Sequence, residues 1–234
     1  MADEFLTTRW SLVLTAGGED TRAGVALEQL CHDVWQPLYA FARRWGCTPE
    51  DAEDAVQGFI ACLLARRSLG NAAPGRGRFR SFLLAGMRNH LSDAKSRATA
   101  VKRGGGALQI SLNGEAAEKG YAELAVDAET PERAFERVWA LSVLATAQKK
   151  LAAECADSGK AAVFTALFPD GGAGGAEGYA HLSQQLGTTE TALRSMAMRL
   201  RRRWRDLIRE ELAQTVSSSE DLEEEMAALR AALS

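Results

Sequence analysis

The sequence predicts an all-α protein: two small helical domains joined by a flexible linker, the C-terminal one containing a helix-turn-helix. Three observations carry that expectation. Apolar residues recur at steps of three and four along most of the chain, and strand-type alternation is confined to Leu108–Leu112. Thr-Pro-Glu occurs at Thr48 and again at Thr130, each time as a capping threonine, a proline at the first helical position and an acid behind it. In residues 179–205 a short apolar pattern (Tyr179, Leu182, Leu186) stops at Gly187 and a longer one starts at Thr189.

Taken in order, Thr8 caps a short helix over Arg9–Leu14, and Asp20 starts a longer one. The apolar face of that longer helix is Leu27, Leu30, Cys31, Val34, Leu38, Phe41 and Trp45, and Pro37 inside it is expected to kink or restart it. The helix after Thr48 buries Ala52, Ala55, Val56, Phe59, Leu63 and Leu64 and ends at a Gly/Pro/Asn-rich loop at 70–77. The next buries Phe79, Phe82, Leu83, Met87 and Leu91, with Arg80, Arg88, Ser92 and Lys95 pointing away. Residues 1–103 form the first domain. Residues 104–130, glycine-led, alanine-rich and acidic, read as the linker. Residues 131–213 form the second domain: a helix from Pro131 to about Ala156 with Val138, Leu141, Leu144, Leu151 and Cys155 on one face, a shorter helix Lys160–Phe168, a glycine-rich loop, and the helix-turn-helix. An acidic amphipathic tail, 214–234, carries Leu222, Met226, Leu229 and Leu233, a stripe that either packs on the protein itself or receives a regulator.

Composition excludes several classes. The chain has 234 residues, 46% apolar and 25% charged, ordinary for a globular protein. No apolar run approaches the roughly 20 residues that span a bilayer, and the N-terminus shows no basic signal-peptide region. Cys31, Cys47, Cys62 and Cys155 are scattered and make no metal spacing with His32, His90 or His181. The expectation is therefore no metal, no cofactor and a reduced, cytoplasmic setting, with the cysteines filling cores. No Ser/His/Asp set or paired catalytic carboxylates stand out, so no catalytic residue is expected. The glycine stretches at 104–106 and 171–178 follow no strand and lack a Gly-Lys-Ser/Thr ending, so they are not phosphate loops.

The net charge is only −3, but it is unevenly distributed. Residues 76–103 hold eight basic side chains against one acid, and residues 194–209 hold seven arginines against one acid. Residues 48–57 hold four acids and no base, and residues 115–137 hold seven acids and three bases. Two separate basic blocks point to two contacts with a polyanion. In the second block Leu193, Met196, Ala197, Leu200, Trp204, Leu207 and Ile208 form one helix face, while Arg194, Arg201, Arg202, Arg205 and Arg209 lie on the other side. A helix with a basic outer stripe after a glycine turn is how recognition helices are presented to DNA.

These residues resemble a family. Asp51-Ala52-Glu53-Asp54-Ala55-Val56-Gln57 is similar to the Asp-Ala-Glu-Asp-Leu-x-Gln-Glu signature of bacterial RNA polymerase sigma factors of the extracytoplasmic-function (ECF) type. Arg78-Phe79-Arg80-Ser81-Phe82-Leu83-Leu84, then Arg88-Asn89, Asp93 and Arg97, looks like that family's next block, and 179–205 resembles its promoter-binding domain. Thr8–Leu14 and Trp35–Phe41 look like the branch found in planctomycete-like bacteria. The resemblance covers most of residues 7–213. It departs at Gly58, where the family has Glu, and in a longer, more acidic linker.

The resemblance implies a non-catalytic subunit that binds core RNA polymerase, at the clamp helices of the largest subunit and the flap, and directs it to promoter DNA. Glu50, Asp51, Asp54 and Gln57 are the expected polymerase-binding residues, although acids at a helix start are also favoured by the helix dipole alone. Arg76, Arg78, Arg80, Arg88, Asn89, Lys95 and Arg97 are expected at the minus-ten element, with Asn89 at a base edge. Phe79 and Phe82 either stack on an unpaired base or, as their spacing favours, pack in the core. Thr189, Glu190, Thr191, Arg194, Ser195, Arg199, Arg201 and Arg202 are expected at the minus-thirty-five element, with Glu190, Thr191, Arg194 and Ser195 toward base edges and Arg199, Arg201 and Arg202 mainly toward phosphates. Met198 lies on the same stripe, at a thymine methyl or at the rim. The acidic linker is either a nucleic-acid mimic or a solvated tether. An anti-sigma factor or a kinase is a further possible partner; no membrane contact is expected. The rival reading is a stand-alone helix-turn-helix regulator, which has no need of the acidic 50–57 signature.

Overall fold

Helix caps and apolar periodicity account for most of the architecture. A computed structural model describes residues 21–65, 78–100, 118, 119, 121, 122, 129–168, 178–216 and 218–234, with side chains except at 21–30, 32, 64, 65 and 95–100. The expected Arg9–Leu14 helix, the Leu108–Leu112 run and the loop at 70–77 lie outside these residues. Among those described, the elements are α1 (Thr21–Trp45), α2 (Pro49–Ala65), α3 (Phe79–Ala100), α4 (Pro131–Asp157), α5 (Ala161–Leu167), α6 (Tyr179–Gln185), α7 (Glu190–Ala213) and α8 (Ser219–Ala232), and none is a strand. No described helix is long and apolar enough to cross a membrane.

The threonine starts behave as their chemistry requires. Thr48 Oγ1 accepts from the Asp51 amide (3.2 Å) and donates to the Asp51 carboxylate (2.8 Å), and Thr130 Oγ1 accepts from the Arg133 amide (3.2 Å). Pro37, by contrast, does not interrupt α1, which runs unbroken to Trp45. Proline removes one backbone hydrogen bond. Around it, Val34, Leu38, Phe41 and Ala42 are buried, and that burial outweighs the missing bond.

Two compact units divide the chain, residues 1–140 with 213–234, and residues 141–212. The division passes through α4 rather than ahead of it at Thr130. In the first unit α1, α2 and α3 pack on one another, with Tyr39, Phe41, Val56, Phe79 and Met87 fully buried. The first turns of α4 join them: Ala134 and Val138 pack with Ala40, and Trp139 lies 6.2 Å from Phe79, ring to ring. The C-terminal segment expected as a separate tail belongs to the same unit. Thr215 and Val216 are buried, and the Phe79 amide donates to the Thr215 carbonyl (3.2 Å).

Part of the expected flexible linker is also held. The Arg43 guanidinium grips Glu118 in bidentate fashion (3.0 Å twice), Tyr39 donates its phenol proton to the same carboxylate (2.5 Å), and Tyr121 sits edge-on to Tyr39. The Arg43 fork, with Tyr39, holds the Glu118 carboxyl below its usual range against the opposing push of burial. An acidic composition made this segment look like a tether; an arginine with matching fork geometry made part of it structural.

In the second unit, Leu167, Leu182, Leu193 and Ala197 form the core, with Val163, Tyr179, Leu186, Met196 and Leu200 around it. Trp204 packs edge-on against Phe168 (5.3 Å). Along α4, Val143, Ala147, Leu151 and Cys155 are buried, whereas the expected Leu141 and Leu144 are half-buried. The stripe α4 buries here is therefore a step of four beginning at Val143.

Two helical glycines make opposite predictions. A Cβ on Gly86 would meet the Phe59 ring at 2.8 Å, inside contact distance for a buried side chain. Gly86→Ala should lower stability by about 1–3 kcal/mol through overpacking, less the helix propensity gained. A Cβ on Gly58 would meet the half-buried His90 ring at 3.2 Å, where a small shift suffices. Gly58→Ala should be neutral or stabilising by up to about 1 kcal/mol. Urea denaturation of both variants decides this, and equal effects would contradict the packing described.

Candidate nucleic-acid interface

The second unit presents one long helix by a tight turn. α6 ends where the Leu186 amide bonds back to the Leu182 carbonyl, Gly187 adopts φ +60°, and the Thr188 amide donates to the Ser183 carbonyl (3.0 Å). Only glycine takes that left-handed conformation without strain. Thr189 then caps α7, its hydroxyl accepting from the Ala192 amide (3.2 Å). Leu193, Ala197, Leu207, Ile208 and Leu212 are buried, and Met196, Leu200 and Trp204 half-buried, the face that periodicity predicts.

The residues expected at the upstream element lie on α7 and at its cap. Thr189, Thr191, Arg194, Arg199 and Arg202 are exposed; Glu190, Ser195 and Arg201 are half-buried. Met198 among them is 66% exposed. Arg194 is pre-positioned: it pairs with Glu190 one turn back (2.7 Å) while its guanidinium lies over the Tyr179 ring (5.3 Å). Arg199 and Arg202 form no ion pair among the described residues. Arg203 differs from its neighbours. It donates two hydrogen bonds to Glu154 (2.9 and 2.7 Å) and one to Glu210 (2.7 Å), tying α7 to the end of α4. Lys150 pairs in the same way with the buried Glu211. The arginines thus divide into those that fasten the helix and those that pair with no carboxylate among the described residues, a division that spacing alone does not reveal.

The first basic block is arranged otherwise. Arg76 lies outside the described residues, and Lys95 and Arg97 are on α3 with side chains outside the description. Asn89 is exposed. The three remaining arginines are all engaged by carboxylates. Arg88 pairs with Glu132 at the start of α4. Arg78 pairs with Glu224 on α8 and lies 3.4 Å from Glu225. Arg80, expected to point away from the buried face, is instead only 7% exposed. It donates to Glu136 (2.9 Å) and Glu225 (3.1 Å), and Glu225 itself is 2% exposed. An arginine cannot lose its charge on burial, so it turns inward only where carboxylates surround it. Glu132 and Glu136, one turn apart on α4, and Glu224 and Glu225 on α8 supply them. The acids were visible in the sequence as part of an acidic block and an acidic tail; nothing in their spacing named their partners. Phe79 is wholly buried and Phe82 half-buried, so Phe79 belongs to the core.

On α2, Glu50 and Asp54 are exposed, Asp51 is exposed but engaged with Thr48, and Gln57 is half-buried. The acidic face is therefore carried mainly by Glu50 and Asp54. Cys31 and Cys155 are buried with thiols pushed up by desolvation, while Cys47 is half-buried and Cys62 exposed, so the core-filling role holds for two of the four. No group of three or more His, Cys, Asp or Glu side chains among the described residues is placed to hold a metal ion. Comparison with protein-family models, with curated proteins and with solved structures gives no match.

The hydrogen bonds from Arg203 hold the Glu154 carboxyl below its usual value. The folded state therefore binds fewer protons at this site than the unfolded chain, and the pair contributes stability above about pH 4.3 that is lost as pH falls through the lowered value. Glu154→Gln should reduce the urea midpoint at pH 7, and the difference from wild type should shrink steadily below about pH 4.3. A difference independent of pH would assign Glu154 a packing role instead.

Proposed function

We propose that this chain is a sigma factor of the ECF type: a non-catalytic, cytoplasmic initiation subunit that binds core RNA polymerase, reads two promoter elements and assists melting. The observation that carries the DNA-binding part is the outer face of α7. It follows a tight turn from a short helix and holds Arg199 and Arg202 exposed, without ion pairs among the described residues. The role as a polymerase subunit rests on the ordered resemblance across residues 7–213, supported by the exposed Glu50 and Asp54 on α2. In this role the helix-turn-helix domain anchors the upstream element. Glu190, Thr191, Arg194 and Ser195 face base edges, and Arg199, Arg201 and Arg202 hold phosphates. The N-terminal domain docks on polymerase and receives the unpaired strand. Because polymerase shares the grip on DNA, a net charge of −3 is no obstacle.

A second reading is a stand-alone helix-turn-helix regulator of duplex DNA. It is favoured by the engagement of Arg78, Arg80 and Arg88 with carboxylates, which leaves α7 as the open cationic face among the described residues. Co-precipitation with core RNA polymerase at low salt separates the two, since only a sigma factor is retained. Run-off transcription on a randomised promoter library then identifies the elements read.

Asp54→Arg should weaken retention by polymerase while leaving the melting temperature unchanged; undiminished retention would mean that the acidic face is merely solvated. Arg194→Ala should cost about 1–3 kcal/mol of discrimination at one upstream base pair. The double variant Arg199→Ala/Arg202→Ala should weaken duplex binding at all sequences and reduce the slope of log affinity against log salt by about 0.9 for each phosphate no longer neutralised. An unchanged slope would remove these arginines from the interface.

A further inference from the structure

The C-terminal helix places carboxylates where the proposed function requires phosphates. α8 is capped by Ser218, whose hydroxyl accepts from the Asp221 amide (3.1 Å), so the position of its acidic turn is set locally. Glu224 then meets Arg78, and one oxygen of Glu225 lies 3.4 Å from Arg78 and 3.1 Å from Arg80. The chain ahead of α8 is fixed to the same place by the hydrogen bond from the Phe79 amide to the Thr215 carbonyl (3.2 Å). Leu222, Met226 and Leu229, three and four residues apart, are half-buried. The helix is therefore seated over the start of α3, the one described stretch of the first basic block where two arginines stand two residues apart.

The three contacts differ in kind: Glu225 meets both Arg80 and Arg78, whereas Glu224 meets Arg78 at the outer side. Arg80 and Glu225 are buried, at 9% and 2% side-chain exposure, and separating them would cost each charge a buried partner. The Arg78 and Glu224 side chains are 26% and 64% exposed, so their pair is solvated and weak. A nucleic-acid strand offers a run of phosphates and releases counterions on binding, and it outcompetes a single exposed carboxylate for the same guanidinium. We propose that α8 is an intramolecular competitor of nucleic acid at the start of α3, with Glu224 standing in for a phosphate on Arg78 and the Arg80–Glu225 pair anchoring the helix. This inference rests on the proposed promoter-binding role and adds to it a brake: binding of the unpaired strand at Arg78 requires Glu224 to leave. The stripe of half-buried apolar residues keeps the helix in place meanwhile, so the release is local.

Glu224→Gln tests this without unpairing Arg80. Fluorescence anisotropy with a fluorescein-labelled single-stranded oligonucleotide at low salt should show tighter binding than wild type by about threefold, the scale of one exposed ion pair. Adding Arg78→Ala to Glu224→Gln should abolish the gain, which a general loss of negative charge would not predict. Circular dichroism melting confirms that each variant is folded. If Glu224→Gln binds no tighter while duplex binding still depends on Arg199 and Arg202, the brake is wrong and the promoter-binding role stands. If neither wild type nor any variant binds single- or double-stranded DNA, alone or together with core RNA polymerase, both fall.

Discussion

Arginine keeps its charge in any protein interior, and that constraint organises this molecule. Arg80 leaves solvent at the first turn of α3, and carboxylates from two distant parts of the chain must follow it: Glu136 on α4 and Glu225 on α8. Their arrival explains why the beginning of α4 and the whole C-terminal segment belong to the first unit rather than to the second or to neither. Removing Arg80 would leave the buried Glu225 with only the longer contact to Arg78 (3.4 Å). For that reason the ion pairs act more as a specification of which segments meet than as a large source of stability.

The same chemistry sorts the basic residues by availability. Guanidinium groups that meet carboxylates within the chain, as Arg43, Arg78, Arg80, Arg88 and Arg203 do, hold helices and linker in place. Arg199, Arg202 and Arg205, which meet none among the described residues, are left exposed on α7. A nearly neutral chain can in this way carry one cationic face that is open and another that is occupied by its own acids. If the occupied face is the one that takes an unpaired strand, affinity for DNA is set by competition within the molecule as much as by the number of arginines.

Steric fit sets the remaining positions. Gly86 admits the Phe59 ring against α3, and Gly58 lies beneath His90, so α2 and α3 approach closely where side chains are smallest. The glycine at 58, where the resembled signature has an acid, thus occupies a position that faces His90 on a neighbouring helix.

Local chemistry was legible in the sequence. The threonine caps at 48, 130 and 189, the left-handed Gly187 and the buried face from Leu193 to Ile208 follow from side chains within one or two turns of each other, and the structure places them as that chemistry demands. Three features were decided only in three dimensions. Helix α1 runs through Pro37 because burial on either side outweighs a missing hydrogen bond. Glu118 is held to α1 by Arg43, more than seventy residues away. Arg80 is buried against Glu225, which lies 145 residues further along the chain. Helical periodicity tells which side of a helix is apolar, because that depends on neighbours in sequence. It does not tell which acid will meet which arginine, because a charge pair has no period and its partner is chosen by how the helices pack.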